Sequence, residues 1–392
     1  MELSELQKKG LDIAIKRYKA GERYTVISGV AGSGKSTLVK FIVSALQIPE
    51  ENIVYATFTG KAAQVLLDKG NKNVSTLHKL LYKSFPLPDG GYSHLPVDIV
   101  PYTLVIVDEC SMMPREIMQL LLSYPVHCIF LGDPEQLPPI NPDDDNHLLD
   151  KPHIFLHEVH RQALDSEIIK LSMDIREGRP IENFDGKDVK VFNSNALTTG
   201  MLLWADQIIC ATNKTRIEIN NQMRELLGRE GVPQDGDKII CLSNYWNYLA
   251  HNENPLVNGT IGYLKSPYAS YRRYPYFING GGSFDVTVGG FVSDTGADFG
   301  ELVMDTNMIL TGEPGLDWKT KYALMRNKKL NHLIPLEFTY GYAITGHRSQ
   351  GSQWGKVLVI EERFPFDKIE HKRWLYTTCT RPSDKLVVIR KD

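Results

Sequence analysis

An α/β protein with parallel sheets covered by helices on both faces is the fold class this sequence predicts. Three observations carry that expectation. Short apolar runs alternate with helix-like stretches over the first 150 residues, and strands alternating with helices build parallel sheets. A second alternating series returns towards the C-terminus. The chain has 392 residues, room for two or three domains at about 150 residues each.

The elements follow in order. Apolar, β-branched runs at 24–28, 53–57, 103–107 and 126–131 predict strands. Helix-like segments near 34–46, 60–69, 76–82 and 115–123 fall between them. The second series has a helix near 165–177, a strand at 207–211 and a helix near 213–228. It resumes with a helix-like stretch near 338–345, a strand at 356–360, a helix near 370–379 and a strand at 385–389. Residues 233–334 interrupt this series. They are rich in Gly, Asn, Tyr and Pro, carry short β-like runs at Lys238–Leu242 and Phe284–Val288, and have little helical period. They predict a small β insertion. There is no internal repeat and no low-complexity tract.

Composition narrows the class. Hydrophobic residues make up 42% and charged residues 23%, an ordinary globular balance. No apolar run approaches the ~18 residues of a spanning helix. The N-terminus is charged at once and lacks an apolar signal core, so a cytoplasmic protein is expected. Cys110, Cys128, Cys210, Cys241 and Cys379 are scattered and form no C-x-x-C pair, which indicates neither a disulfide framework nor a zinc site. His157 and His160 lack a third ligand. With a net charge of −3, nucleic-acid binding requires a local basic channel.

Gly29, Val30, Ala31, Gly32, Ser33, Gly34, Lys35, Ser36 and Thr37 match the G-x-x-x-x-G-K-S pattern between a predicted strand and a predicted helix. That context identifies a P-loop. The glycines let the backbone wrap phosphates, Lys35 neutralises the β- and γ-phosphates of ATP, and Ser36 offers a hydroxyl to Mg²⁺. Leu104-Val-Ile-Val-Asp108-Glu109 is a buried strand ending in two carboxylates. Asp108 would hold Mg²⁺ through water, and Glu109 would deprotonate the attacking water. Phe130-Leu-Gly-Asp133-Pro-Glu-Gln136 ends another strand, and Gln136 is placed to sense the γ-phosphate.

Asp-Glu-x-Ser-Met at 108–112 and Gly-Asp-x-x-Gln-Leu-Pro at 132–138 resemble helicase motifs. Together with the P-loop, they make the chain resemble the RecD-like and Dda-like DNA helicases of superfamily 1B over nearly its whole length. The resemblance implies two RecA-like parallel-sheet domains, a β-hairpin pin insertion and a small β-barrel insertion. Residues 1–83 and 103–150 would form domain 1A, 84–102 the pin (1B), 151–232 and 335–392 domain 2A, and 233–334 the barrel (2B). Gln7 is similar to the adenine-reading glutamine, though Ser4 and Gln7 also have capping-box spacing. Arg161 and Arg381 resemble the arginines that reach the γ-phosphate from the second domain. Gln350 and Gly351 would face the nucleotide cleft.

The same resemblance places Thr59, Lys61, Thr76, His78, Thr345, His347 and Arg348 on the DNA strand. Phe58 stands where the family usually has Pro, and Arg348 where it more often has Lys. Asp89-Gly90-Gly91 is a hairpin turn signal. On the implied pin, Phe85 or Tyr92 would stack on the end base pair. Tyr268, Tyr271, Arg272, Arg273, Tyr274 and Tyr276 interleave aromatics with arginines, which suits either single-strand binding or a barrel surface.

The expectation is an ATP- and Mg²⁺-dependent helicase, monomeric, that moves on single-stranded DNA and opens duplex at single-strand junctions. Replication, repair or recombination proteins would be its partners, and no membrane is involved. The resemblance alone implies 5′→3′ polarity. Three rivals stand beside this reading: a P-loop kinase, a non-enzymatic DNA-loading factor on a helicase scaffold, and a translocase that strips proteins without unwinding.

Overall fold

The computed structural model describes residues 3–86, 92–139, 142–158, 166–251 and 254–391. It divides into two compact units. One comprises Met1–Leu81, Val97–Arg216 and Ile344–Asp392; the other comprises Tyr82–Pro96 and Ile217–Ala343. Among the described residues, no helix is long and apolar enough to cross a membrane.

The first unit opens with α1 (Glu5–Lys19), β1 (Tyr24–Gly29), α2 (Lys35–Leu46), β2 (Ile53–Thr57), α3 (Gly60–Asp68), β3 (Val74–Thr76) and α4 (Leu77–Leu81). A hairpin of the second unit follows, β4 (Tyr82–Pro86) and β5 (Tyr92–Pro96). The first unit resumes with β6 (Leu104–Asp108), α5 (Arg115–Ser123), β7 (His127–Gly132), β8 (Ile154–Leu156), α6 (Glu167–Arg176), β9 (Phe184–Asp185), β10 (Val189–Asn193), α7 (Thr199–Trp204), β11 (Gln207–Cys210) and the start of α8 (Asn213–Leu226). The second unit continues with β12 (Lys238–Cys241), β13 (Tyr245–Leu249), β14 (Pro255–Leu256), β15 (Ile261–Tyr274), β16 (Gly282–Ser293), β17 (Asp298–Asp305), α9 (Thr306–Thr311), α10 (Trp318–Arg326) and β18 (Phe338–Tyr340). The chain then returns through β19 (Ala343–Thr345), α11 (Gly346–Ser349), β20 (Trp354–Ile360), α12 (Lys368–Cys379) and β21 (Pro382–Arg390).

The first unit holds two six-stranded sheets, ordered β3-β2-β6-β7-β1-β8 and β19-β11-β20-β21-β10-β9. The first is parallel throughout its paired strands. Leu104, Val105, Ile106 and Val107 are all buried, as a strand covered on both faces demands. Helices α1 and α2 supply Ala14, Leu38, Val39 and Ile42 to the same core. Register then does the positioning. Thr57 pairs beside Asp108, Val107 beside Phe130, Ser28 beside Gly132 and Gly29 beside Leu156. The carboxyl ends of these strands therefore line up at one edge, where α/β folds place their ligands.

The second unit carries a five-stranded sheet, β17-β16-β15-β12-β18, with antiparallel pairing throughout. Phe284, Val286 and Val288 of β16 bury against Leu316 and Leu324. Its fifth strand lies beyond residue 334. In the hairpin, Tyr82 pairs with Pro96 and Phe85 with Ser93. The turn signal at 89–91 lies outside the described residues.

The stretch 338–345, expected helical, is two strands instead. Residues Phe338 and Thr339 pair with Cys241 and Ile240 of β12, and β19 takes the edge beside β11. The aromatic and β-branched residues of this stretch, Phe338, Thr339, Tyr340, Ile344 and Thr345, favour strands, and pairing at the sheet edges realises that preference. The insertion also contains two helices, α9 and α10, where little helical period is expected.

Asp237 is fully buried in the second unit. It accepts from Tyr342 Oη at 2.8 Å and Gln234 N at 2.7 Å, and pairs with Arg224 Nε at 3.3 Å. Removing one member of a buried pair strands the other charge. Asp237→Ala is expected to cost about 3–5 kcal/mol, read as a lower denaturant midpoint.

Candidate active site

The P-loop spans the gap between β1 and α2. Gly32 and Gly34 sit at φ 76° and 78°, backbone that favours glycine. Gly34 caps α2 without a side-chain bond, so no side chain takes up the first helix amides. A Cβ at Gly29 would lie 2.6 Å from Ser33 Oγ and 2.9 Å from the Leu156 carbonyl. Lys35 Nζ donates to the carbonyls of Gly29 at 2.6 Å and Val30 at 3.2 Å. Ser36 and Thr37 lie in the first turn of α2.

Gln7 closes the capping box and also reaches the P-loop. Ser4 N donates to its Oε1 at 3.0 Å, closing the capping box. Its Nε2 donates to the carbonyls of Ser33 at 3.3 Å and Gly34 at 3.5 Å. One side chain thus caps α1 and braces the P-loop.

Asp108 ends β6, and its Oδ1 accepts from the Glu109 amide at 2.9 Å. Glu109 adopts φ 54°, a left-handed conformation that costs a non-glycine residue about 1–3 kcal/mol and concentrates at functional sites. Burial and then the Asp108 charge raise the Glu109 carboxyl above its usual range; Arg381 and Lys35 oppose the rise. Burial likewise pulls Arg381 below its usual value, against the attraction of Glu109. Arg381 is 5% exposed and anchored by Nε to the Thr377 carbonyl at 2.8 Å. A carboxylate, a P-loop lysine and an arginine 346 residues further along the chain (35 against 381) are therefore close enough to act on one another's charge. Arg161 lies outside the described residues.

The two sheets meet through the segment that follows β7. Tyr376 Oη donates to Asp133 Oδ2 at 2.6 Å and accepts from the Ala31 amide at 3.3 Å. Leu137 N donates to Thr377 Oγ1 at 3.0 Å, and Gln350 Nε2 to the Leu137 carbonyl at 3.1 Å. Lys372 pairs with Glu135 at 2.8 Å. At Gly351, φ is 74°, and an added Cβ would meet Ala62 Cβ at 2.8 Å, so this turn is pressed against the start of α3. Asp133, Tyr376 and Thr377 were not singled out by sequence reasoning. Asp133 lies three residues before Gln136, and Tyr376 and Thr377 lie five and four before Arg381; only proximity distinguishes them.

The residues present fit a magnesium nucleotide. Ser33 Oγ, Gln136 Oε1 and Gln350 Oε1 are buried without a hydrogen-bond partner. Asp108 and Asp133 add negative charge around Glu109, and Lys35 and Arg381 oppose it. A hard divalent ion suits the oxygen donors of Asp108 and Ser36. Among the described residues, no group of three or more His, Cys, Asp or Glu side chains forms a ready-made metal cage.

The expected strand contacts divide. Arg348 is exposed, and Thr345 and His347 are half-buried beside it. Burial lowers the His347 pKa, favouring the neutral imidazole. Desolvation of the guanidinium and then the charge of nearby Arg216 lower the Arg348 value, adding a cation that sequence reasoning missed. Thr59 caps α3 through Ala62 N at 3.3 Å, and Thr76 is 2% exposed with its hydroxyl accepting from Lys79 N. Lys61 is also buried, at 7%. His78 packs on Phe58, with ring centroids 5.4 Å apart. In the second unit, Phe85 is 49% exposed, and Tyr92 pairs through its backbone with Pro86. There too, Arg273 lies over the Tyr271 ring at 5.1 Å.

Residues 3–190 match the model of an AAA domain family, and residues 340–389 match a UvrD-like helicase C-terminal domain. The chain is similar to the ATP-dependent RecD2 DNA helicase of Deinococcus radiodurans, with 27% identity over 98% of this chain and 48% of that protein. It is also similar to the ATP-dependent DNA helicase dda of Enterobacteria phage T4, with 29% identity over 57% of each. The chain spans about half the length of these curated relatives. Its fold is similar to that of a Bacteroides Pif1 crystal structure bound to single-stranded DNA, at TM-score 0.57 and 18% identity, covering 100% of this chain and 92% of that one.

Proposed function

We propose that this chain, a superfamily 1B helicase, hydrolyses ATP to move along single-stranded DNA and separate duplex ahead of it. The electrostatic coupling of Glu109 with both the P-loop Lys35 and Arg381 is the observation that carries the reading. Phosphoryl transfer needs a positioned base, a phosphate-binding lysine and charge neutralisation of the equatorial oxygens. Lys35 and the P-loop amides bind the phosphate chain, Gln7 braces that loop, and Glu109 takes the proton of the attacking water. Asp108 and Ser36 would hold Mg²⁺, which neutralises phosphate charge when bound. Arg381 belongs to the second sheet, so completing the site requires both sheets together, and release separates them. That makes hydrolysis a motion.

Arg348, with His347 and Thr345, offers the phosphodiester backbone a cationic and hydrogen-bonding edge. The β4–β5 hairpin is the element proposed to part the strands. The relatives named as ATP-dependent DNA helicases and the solved Pif1–DNA complex support DNA as the track. The 5′→3′ direction rests on family resemblance. A monomer acting alone and a link to replication or recombination proteins belong to the same proposal.

Steady-state ATPase tests it, measured at fixed low salt with no nucleic acid, single-stranded DNA, duplex DNA and single-stranded RNA. Strong stimulation by single-stranded DNA is expected. Turnover indifferent to nucleic acid, with phosphate transferred to an acceptor, would sink the motor reading in favour of a kinase. Deleting residues 86–95 should spare stimulated ATPase and abolish strand separation. Retained unwinding would remove the hairpin from the mechanism.

A further inference from the structure

We propose that Tyr376 is a positioning residue that places Arg381 over the nucleotide cleft. The inference rests on the ATPase reading above and goes beyond it by naming what holds the two sheets in register. One hydroxyl does two jobs. It donates to Asp133 Oδ2 at 2.6 Å and accepts from the Ala31 amide of the P-loop at 3.3 Å. Asp133 is fully buried, and its other oxygen accepts from Glu135 N at 3.1 Å. The carboxylate is thereby fixed on both sides.

The neighbouring residue grips the far end of the same segment. Thr377 Oγ1 accepts from Leu137 N at 3.0 Å, while the Thr377 carbonyl accepts from Arg381 Nε at 2.8 Å. Tyr376 and Thr377 thus clamp residues 133–137 at both ends, and the clamp's own backbone carries the guanidinium. Burial and the Asp133 carboxylate keep the phenol protonated well above neutral pH, so the donor does not titrate away in the working range. An aromatic ring 1% exposed would fill the core without a hydroxyl; the oxygen is explained by the two bonds it makes.

Tyr376→Phe keeps the ring and removes that oxygen. In the full-length chain with saturating single-stranded DNA, single-turnover hydrolysis of radiolabelled ATP should slow at least tenfold. Affinity for a fluorescent ADP analogue should stay within twofold. In an Arg381→Ala background, Tyr376→Phe should add little further loss, because its effect passes through the arginine. Equal loss in both backgrounds, or a loss under twofold, would overturn the proposal. Hydrogen exchange reads the geometry without catalysis: peptides covering 29–34 and 133–137 should exchange faster in the variant. If the parent protein shows no ATPase at all, the functional reading fails by itself. Unchanged exchange then overturns the clamp, and faster exchange sustains it. Thr377→Val is the second variant should Tyr376→Phe fold poorly, with the same expected pattern of slowed turnover and retained ADP-analogue binding.

Discussion

Arg381→Ala is expected to lower DNA-stimulated ATP turnover by about 10³–10⁵, the range for loss of an arginine finger. ATP affinity should fall far less. The guanidinium is almost fully buried and lies within electrostatic reach of Glu109. Charge accumulates on the equatorial phosphoryl oxygens only as the transition state forms, so removing the cation acts on kcat more than on ground-state binding. Arg381→Lys should recover little. A lysine lacks the planar fork that reaches the Thr377 carbonyl and the cleft together. The comparison needs stopped-flow binding of a fluorescent ATP analogue beside steady-state turnover. Parallel loss of binding and turnover would mean that Arg381 serves ground-state affinity, and its assignment as a finger would fall.

Glu109→Gln should bind ATP and single-stranded DNA yet turn over about 10²–10⁴-fold more slowly, the usual contribution of a general base. The wild-type pH profile offers a second reading. Burial and Asp108 raise the Glu109 carboxyl above the ordinary carboxylate range. The base form exists above that raised value and is lost as pH falls through it. The acid limb of kcat/KM, which reports the free enzyme, should therefore lie higher than an exposed glutamate would place it, and the residual activity of Glu109→Gln should lack that limb. A glutamine variant with unaltered turnover would require another base. The left-handed backbone at Glu109 bears on the same point. A substitution that preserves side-chain shape keeps that conformation supported by the Asp108 contact, so a loss of rate reports chemistry and not collapse.

The sequence determined the alternating α/β architecture and the identity of the P-loop, because parallel strands buried on both faces must be continuous apolar runs. Val107 and Ile106 announce a central strand without any neighbour being known. It also determined which residue types end those strands, since Gly29, Asp108 and Gly132 interrupt apolar runs at recognisable places. The strands at β3, β8 and β10 were less legible because three to five residues carry too little periodicity to separate strand from loop. Residues 338–345 carry aromatic and β-branched side chains that favour strands, and pairing with β12 and β11 realised that preference.

Tertiary structure alone decided which side chains share the site. The distance along the chain between Ala31, Asp133 and Tyr376 conceals that one hydroxyl joins them. Tertiary structure also buries Thr76 and Lys61, which no local pattern announces. Local sequence fixes periodicity, capping and turn chemistry, which act over a few residues. Register between strands and the approach of two sheets depend on partners far along the chain, and no local pattern encodes where those partners fall.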